Sequence, residues 1–268
     1  MKDKVIIITG ASSGIGRALA SQFCGLKAKV VIAARTQDAL DSLAIELKGA
    51  GCEVFAVKTD VSLETDCKHL IDEAVNRFGR IDVLINNAGI SMRALFEETE
   101  LSVIKKVMDI NFWGAVYCTK FALPHLLKSQ GSLVGVSSIA GYKGLPGRTG
   151  YSASKFALRG FLEVIRIETM KKGLHVLIAC PGFTASNIRN SALSADGSMQ
   201  GESPRDEGKM MTAGEVADRI VRSIQRRDHR VIMTAQGKMT VWLNKFFPKM
   251  MDRLVYNHMA KEPDSPFK

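Results

Sequence analysis

Short runs of apolar and β-branched residues alternate with longer segments of helical periodicity along most of the chain. Several runs, such as Val5–Ile8, are apolar at every position, which is typical of central strands in a parallel sheet that helices cover on both faces. The predicted strands are Val5–Thr9, Val30–Ala34, Val54–Lys58, Val83–Asn86, Leu133–Ser137, Val176–Ala179 and Val231–Met233.

Helical periodicity fills the intervals between these strands. The predicted helices are Ile15–Leu26, Gln37–Gly49, Glu64–Phe78, Glu100–Lys128, Tyr151–Lys172 and Ala213–Arg226. This alternation predicts an α/β fold, a doubly wound seven-stranded parallel sheet with helices on both faces. One sheet can hold all seven strands, which favours a single domain over residues 1–268.

Two segments do not follow the alternation. Residues 185–211 are polar and rich in Gly, Ser and Asn, so we predict a long loop that shapes a substrate pocket. Residues 238–261 are rich in Met, Phe and Lys, and we predict a helical tail.

Composition narrows the function classes. Hydrophobic residues make up 46% and charged residues 24% of the chain, which is the balance of a globular protein. The formal net charge of +10 suits a nucleic acid, an anionic membrane surface or a phosphorylated small molecule. No nucleic-acid motif accompanies this charge and aromatic residues make up only 7%, so we predict no nucleic-acid partner.

The five cysteines are scattered, and no pair has Cys-x-x-Cys spacing. We therefore predict buried, reduced thiols and no metal site. Reduced cysteines favour a reducing compartment, and the run Val5–Ile8 is too short for a signal peptide. The sequence thus predicts a cytoplasmic protein, with association at a membrane surface left open.

A glycine-rich turn joins the first strand to the first helix. Glycines allow a tight turn and a close approach of the backbone to a pyrophosphate, which the free N–H groups of a helix N-terminus bind. The turn therefore predicts a dinucleotide site, although a glycine turn of purely structural role is the alternative. The predicted cofactor contacts are Gly10, Ser12, Ser13, Gly14, Ile15 and Gly16.

The residues at the end of the second strand discriminate between the dinucleotides NAD(H) and NADP(H). An Asp or Glu there binds the ribose hydroxyls of NAD, but this chain has Arg35 and no carboxylate. Because a guanidinium can bind a 2′-phosphate through two hydrogen bonds, we predict NADP(H), with NAD(H) as the less favoured cofactor. A solvated surface arginine is the alternative interpretation.

Polar and small residues also follow the third and fourth strands. Asp60 and Val61 suit an adenine, as an acceptor for its amino group and an apolar wall. Asn87, Ala88 and Gly89 permit close backbone approach to a ligand. Each pair or triplet alone is an ordinary turn signal, and only their recurrence after successive strands favours a cofactor site.

Tyr151 and Lys155 are four residues apart in a predicted helix, so their side chains lie on one face. A tyrosine needs its pKa lowered by about 3 units to exchange protons near neutrality, and a cation about 4 Å away can supply that. We therefore expect Lys155 to lower the pKa of Tyr151. Ser138, which follows the fifth strand, can donate to a carbonyl oxygen, and Asn111 occupies a mid-helix position that its propensity disfavours.

Taken in chain order, these motifs resemble the short-chain dehydrogenase/reductase family from about Lys4 to Met233. The resemblance implies a Rossmann-like sheet, an NAD(P) cofactor and hydride transfer between nicotinamide and a carbonyl/alcohol pair. It implies that Tyr151 is the proton donor or acceptor and that Lys155 binds the ribose and modulates the tyrosine pKa. Ser138 would orient the substrate oxygen, and Asn111 would hold a water of the proton relay.

The same resemblance assigns further residues to the nicotinamide end of the site. These are Pro181, Gly182, Thr184 through its backbone amide, and Ser186 through its hydroxyl. The chain is also similar to the dehydrogenase/reductase member 7B branch, a neighbour of the hydroxysteroid dehydrogenases. A lipid or steroid-like ketone is then an expectation by analogy.

We therefore predict an NADP(H)-dependent oxidoreductase acting on an apolar ketone or aldehyde and the matching alcohol. A non-enzymatic NADP(H)-binding redox sensor or scaffold is the alternative. The resemblance further implies a homodimer or homotetramer through the helices at Asn111–Lys128 and Tyr151–Lys172. The tail is predicted to pack on a partner subunit or over the substrate cleft, with peripheral membrane contact as the other interpretation.

Overall fold

A computed structural model describes residues 1–185, 188–201, 208, 210–263 and 265–267. Seven parallel strands form its main sheet, in the order β3-β2-β1-β4-β5-β6-β9. The predicted α/β fold with a parallel Rossmann-like sheet is confirmed, and β1 lies next to the point where the strand order reverses. The strands are β1 Val5–Thr9, β2 Lys29–Ala34, β3 Glu53–Lys58, β4 Val83–Asn86, β5 Ser132–Val136, β6 His175–Cys180 and β9 Arg230–Ile232.

Helices cover both faces of this sheet. They are α1 Gly14–Gly25, α2 Gln37–Gly49, α3 Glu64–Phe78, α4 Leu101–Met108, α5 Gly114–Ser129, α6 Thr149–Glu168, α7 Ala213–Arg226, α8 Ala235–Phe246 and α9 Pro248–Met259. Short 3₁₀ turns occur at Phe96–Glu98, Ile139–Gly141 and Met170–Lys172.

The prediction of one helix over Glu100–Lys128 needs correction. This segment is not one regular helix, because a π-helical turn at Asp109–Trp113 separates α4 from α5. The predicted helical tail consists of two helices, because Pro248 lacks the N–H that would continue α8 and instead begins α9.

Alternate residues of the central strands face the two helical layers. Ile6 and Ile8 pack in a cluster with residues of α1, α2 and α7, whereas Ile7 packs with residues of α3, α5 and α6. Burial on both faces is why these strands are apolar at every position. All five cysteines are buried and free, as predicted.

The predicted loop 185–211 pairs with itself at its ends. The two-residue strand β7 Thr184–Ala185 lies parallel to β8 Met211–Thr212. A single bridge from Leu193 to Met92 attaches the loop to the chain that follows β4, and another from Leu193 to Met199 lies within the loop.

Candidate functional site

The carboxyl ends of the first six strands open on one cleft of about 1210 Å³. Most of the residues predicted for the site line it. They are Gly10, Ser12, Ser13, Gly14, Ile15, Arg35, Asp60, Val61, Asn87, Ala88, Gly89, Ser138, Tyr151, Lys155, Pro181, Gly182 and Thr184. Gly16 and Asn111 are buried behind the wall of the cleft. Ser186 lies outside the described residues.

The glycine turn packs closely against the residues that follow β4. Gly10 and Gly14 have φ angles of +64° and +53°, a region that favours glycine. A Cβ on Gly16 would lie 2.2 Å from the carbonyl oxygen of Gly10 and 2.7 Å from Nδ2 of Asn87. The glycines therefore hold the start of α1 against the end of β4.

Thr9, which the sequence patterns did not single out, joins the turn to β4. Its hydroxyl accepts hydrogen bonds from the backbone N–H groups of Asn87 and Ala88, both at 3.0 Å. The Asn87 side chain donates to the carbonyl oxygen of Thr9 at 2.9 Å. The side-chain nitrogen of Asn87 thus fixes the turn that borders the cleft. The small side chain of its neighbour Ala88 takes up little of the cleft.

The polar residues after β2 and β3 lie along the same cleft. Arg35 is exposed directly after β2. One carboxylate oxygen of Asp60 accepts hydrogen bonds from the backbone N–H of Ser62 at 3.0 Å and from its hydroxyl at 2.7 Å. The carboxylate is therefore held in place rather than mobile.

These features fit an NAD(P)-type dinucleotide. Helix α1, described in full, begins at the cleft without a side-chain cap and without an acidic residue in its first turn. Its first N–H groups and its dipole are thus available to a pyrophosphate. The glycine turn allows that approach, and Arg35 places a cation further along the cleft.

Tyr151 and Lys155 lie on one face of α6, as their spacing predicts. The Lys155 ammonium is 5.7 Å from the centre of the Tyr151 ring and donates a 2.9 Å hydrogen bond to the carbonyl oxygen of Val136. Only 3% of Lys155 is exposed, and this burial lowers its pKa to about 8. A lysine with that pKa is still largely protonated at pH 7.

The predicted lowering of the Tyr151 pKa is wrong for the protein without a cofactor. Burial raises the pKa of Tyr151 above its ordinary value, and the Ser138 hydroxyl and the charges of Arg148 and Arg189 only oppose that rise. The same withdrawal of water that weakens the charge on Lys155 also penalises the phenolate. Tyr151 is therefore a neutral phenol at pH 7.

Asn111 lies in the π-helical turn, and its side-chain amide makes three hydrogen bonds. Its Oδ1 accepts from the backbone N–H of Ile90 at 2.8 Å, and its Nδ2 donates to the Ile90 carbonyl and to the Ser154 hydroxyl, both at 2.9 Å. Ser154 in turn donates to the carbonyl oxygen of Tyr151 at 2.7 Å. Asn111 thus connects the turn after β4 to α6, and its amide hydrogens are not available to a relay water.

The tail folds back over the cleft, as one of the alternatives for its packing predicts. Residues of both tail helices line the cleft beside Tyr151. Beyond α9, Glu262 forms a buried ion pair with Arg148 at 3.0 Å. This pair could not be found from sequence, because its members are separated by 114 residues and neither belongs to a motif.

Comparison with known proteins identifies the family of this chain. A profile of the short chain dehydrogenase family matches residues 4–197. The chain belongs to the short-chain dehydrogenase/reductase family. It is an oxidoreductase of this nucleotide-binding class, and no helix among the described residues has the length and apolar character needed to cross a bilayer.

Two relatives illustrate the similarity. An 11-beta-hydroxysteroid dehydrogenase A of Arachis hypogaea is 39% identical over 98% of this chain and 78% of the relative. The dehydrogenase/reductase SDR family member 7B of Mus musculus is 34% identical over 99% of this chain and 84% of the relative. The predicted likeness to the 7B branch is confirmed.

Solved structures of this short-chain dehydrogenase/reductase fold carry nicotinamide cofactors. A family member from Burkholderia phymatum in complex with NAD superimposes with a TM-score of 0.83 at 26% identity, over 93% of this chain and 95% of that one. An alcohol dehydrogenase from Thermococcus sibiricus, complexed with 5-hydroxy-NADP, gives 0.75 at 26% identity, over 86% and 94%.

Proposed function

We propose that residues 1–268 act as one catalytic domain that transfers a hydride between NADP(H) and a carbonyl/secondary alcohol pair. The observation that carries this proposal is that Tyr151, Lys155 and Ser138 line the same cleft as the glycine turn. The substrate would be an apolar ketone or aldehyde, because methionine and aliphatic side chains form much of the lining of this cleft.

In the reductive direction, NADPH held in this cleft would supply the hydride. Tyr151, a neutral phenol, would donate its proton to the carbonyl oxygen as the general acid. The Ser138 hydroxyl donates to the same oxygen, and the Lys155 ammonium stabilises the phenolate that remains. Asn111 acts through its hydrogen bonds, which hold the turn after β4 against α6.

The chain would hold the cofactor along the ends of its strands. The glycine turn and α1 would bind the pyrophosphate, Asp60 and Val61 the adenine, and the segment from Pro181 through Ser186 the nicotinamide end. NADP(H) is the proposed preference because Arg35 follows β2 where a carboxylate would favour NAD(H). The cleft also contains Tyr151 and Lys155 at the position where the ribose and the substrate would meet.

Reduction of a panel of ketones and aldehydes, followed as NADPH absorbance at 340 nm, tests this function. Tyr151→Phe should lower kcat at least 100-fold while the dissociation constant for NADPH changes less than threefold, since general acid catalysis typically contributes 10²–10⁴. Tyr117→Phe, on α5, is the matched control and should keep full activity. Binding of NADPH by a wild-type protein that turns over no substrate class would favour the sensor or scaffold instead.

The outer face of the tail supports a further proposal, peripheral membrane contact. Trp242, Phe246 and Phe247 are all more than half exposed, and Lys245 and Lys249 lie beside them. An exposed apolar face with flanking lysines suits the surface of an anionic bilayer. Sedimentation with phosphatidylserine vesicles should fall for Trp242→Ser/Phe246→Ser, and equal sedimentation of wild type and variant would contradict this contact.

We also propose a homodimer or homotetramer through α5 and α6. Phe156, Val164 and Ile167 of α6 are exposed, which an interface would cover. Light scattering of the purified protein should give a multiple of 29.3 kDa, and a monomeric mass at micromolar concentration would contradict this proposal.

A further inference from the structure

Arg148 lies directly before α6, three residues ahead of Tyr151. Only 8% of its surface is exposed, and it is one of the residues that line the cleft. Its positive charge acts on the phenol, where it opposes the rise in the pKa of Tyr151. The guanidinium is thus held close to the group that would donate a proton to the substrate.

The two ends of the guanidinium have different surroundings. Nη2 donates to both carboxylate oxygens of Glu262, at 3.0 and 3.4 Å. Nη1 is buried and has no hydrogen-bond partner among the residues that the structure describes. A buried N–H without an acceptor costs free energy, and the ion pair prevents the side chain from turning away to relieve that cost.

Apolar side chains form much of the lining of the cleft, together with polar ones such as Arg189 and Ser191. Side chains from the loop and the tail form its walls, among them Leu193, Met199, Leu243, Met251, Leu254 and Met259. A ligand that fills this space is therefore largely apolar. Arg148 belongs to the lining of this space, and its unpaired Nη1 is itself buried.

We propose that Arg148 is a specificity-determining residue, which donates through Nη1 to a second oxygen of the substrate. This inference rests on the proposed function and extends it. The preferred substrate is an apolar molecule that carries, besides the reacting carbonyl, a second acceptor oxygen in the form of a carbonyl, hydroxyl or carboxylate group. A neutral acceptor and a carboxylate share this chemistry, and the substrate panel distinguishes them.

The test compares bicyclic monoketones with analogues that differ only in a second oxygen, placed at successive ring positions as a ketone, a hydroxyl or a carboxylate. The measured quantity is the ratio of kcat/KM for the best two-oxygen substrate to that for the monoketone. We expect a ratio of at least ten in the wild type. Arg148→Met/Glu262→Gln, which removes the ion pair as a unit, should lower this ratio at least tenfold.

Two comparisons separate a contact with substrate from a structural role. Arg159→Lys, a control on α6, should retain the ratio. Arg148→Lys, which keeps the charge but not the planar fork, serves if the double variant does not fold, and it should also lower the ratio. An equal loss for both substrate types, or an unchanged ratio, would overturn the proposal.

Binding provides a readout that does not depend on turnover. In Tyr151→Phe with NADP⁺ present, calorimetry should show tighter binding of the two-oxygen ligands than of the monoketone, and Arg148→Lys in that background should abolish the difference. Equal affinities in Tyr151→Phe would refute the role of Arg148. A wild type that binds two-oxygen ligands preferentially but reduces none would instead contradict the proposed function.

Discussion

The ammonium of Lys155 lies 5.7 Å from the centre of the Tyr151 ring, and its nearest hydrogen-bond acceptor is the carbonyl oxygen of Val136 rather than the phenol. Burial favours the neutral form of each group. Lys155 is therefore a weak acid near physiological pH, and Tyr151 is a protonated phenol. In the proposed reduction the proton would leave Tyr151, and the Lys155 ammonium would stabilise the phenolate.

The first prediction concerns the lowered pKa of Lys155. In the cofactor-free protein, its ¹³Cε resonance should titrate near pH 8, whereas exposed lysines titrate near 10.4. Its charge is therefore present below pH 8 and is lost as the pH rises through that value. The spectrum of Lys155→Gln assigns the resonance by its absence. Titration of every lysine above pH 10 would show that burial does not lower the pKa of Lys155.

The second prediction concerns Gly16. An alanine there places Cβ 2.2 Å from the Gly10 carbonyl oxygen, which is backbone and cannot move aside easily. Gly16→Ala should lower the free energy of unfolding by more than about 3 kcal/mol, at the upper end of overpacking effects. Urea unfolding measures this change.

Gly25→Ala on the same helix is the matched control for that change. A Cβ on Gly25 meets no atom within 4 Å, so the substitution should stabilise the helix by up to about 1 kcal/mol. Similar effects of the two substitutions would mean that helix propensity, and not contact with the turn, decides both.

The third prediction concerns cofactor choice. Arg35→Ala should raise the dissociation constant for NADPH about tenfold or more, because a charge-assisted contact contributes about 1.5–3 kcal/mol, and should change that for NADH less than twofold. Arg77→Ala, an exposed arginine on α3, controls for the loss of net charge. Equal weakening of both cofactors by Arg35→Ala would show that the guanidinium does not bind the 2′-phosphate.

The fourth prediction concerns the attachment of the tail. Glu262 is 5% exposed and lies within 3.7 Å of Arg93 as well as 3.0 Å from Arg148. Glu262→Gln leaves buried arginine charge without its carboxylate, which typically costs about 3–5 kcal/mol. We expect faster amide hydrogen exchange in α9, with little change in the central strands. Glu168→Gln, at the exposed end of α6, is the control, and unaltered exchange in α9 would mean that apolar packing alone holds the tail.

Local patterns determined the strands, most helices and the positions that meet at the cleft. Parallel strands have their carboxyl ends at the same edge of the sheet. Motifs that directly follow strands, such as Gly10–Gly16 and Asn87–Gly89, therefore lie close together in the fold. Tyr151 and Lys155 share a face because helical spacing is local. The interruption of the helix near Asn111 was not determined in this way, since the hydrogen bonds to Ile90 and Ser154 come from distant chain.

Burial and long-range pairing were decided only by the tertiary structure. The direction of the Tyr151 pKa shift depends on how much water its neighbours exclude, and no sequence spacing contains that quantity. The contact of Thr9 with Asn87 and the ion pair of Arg148 with Glu262 join segments 78 and 114 residues apart. Sequence periodicity reports the environment of a residue along its own helix or strand, whereas such contacts exist only after the whole sheet has assembled and the tail has closed over it.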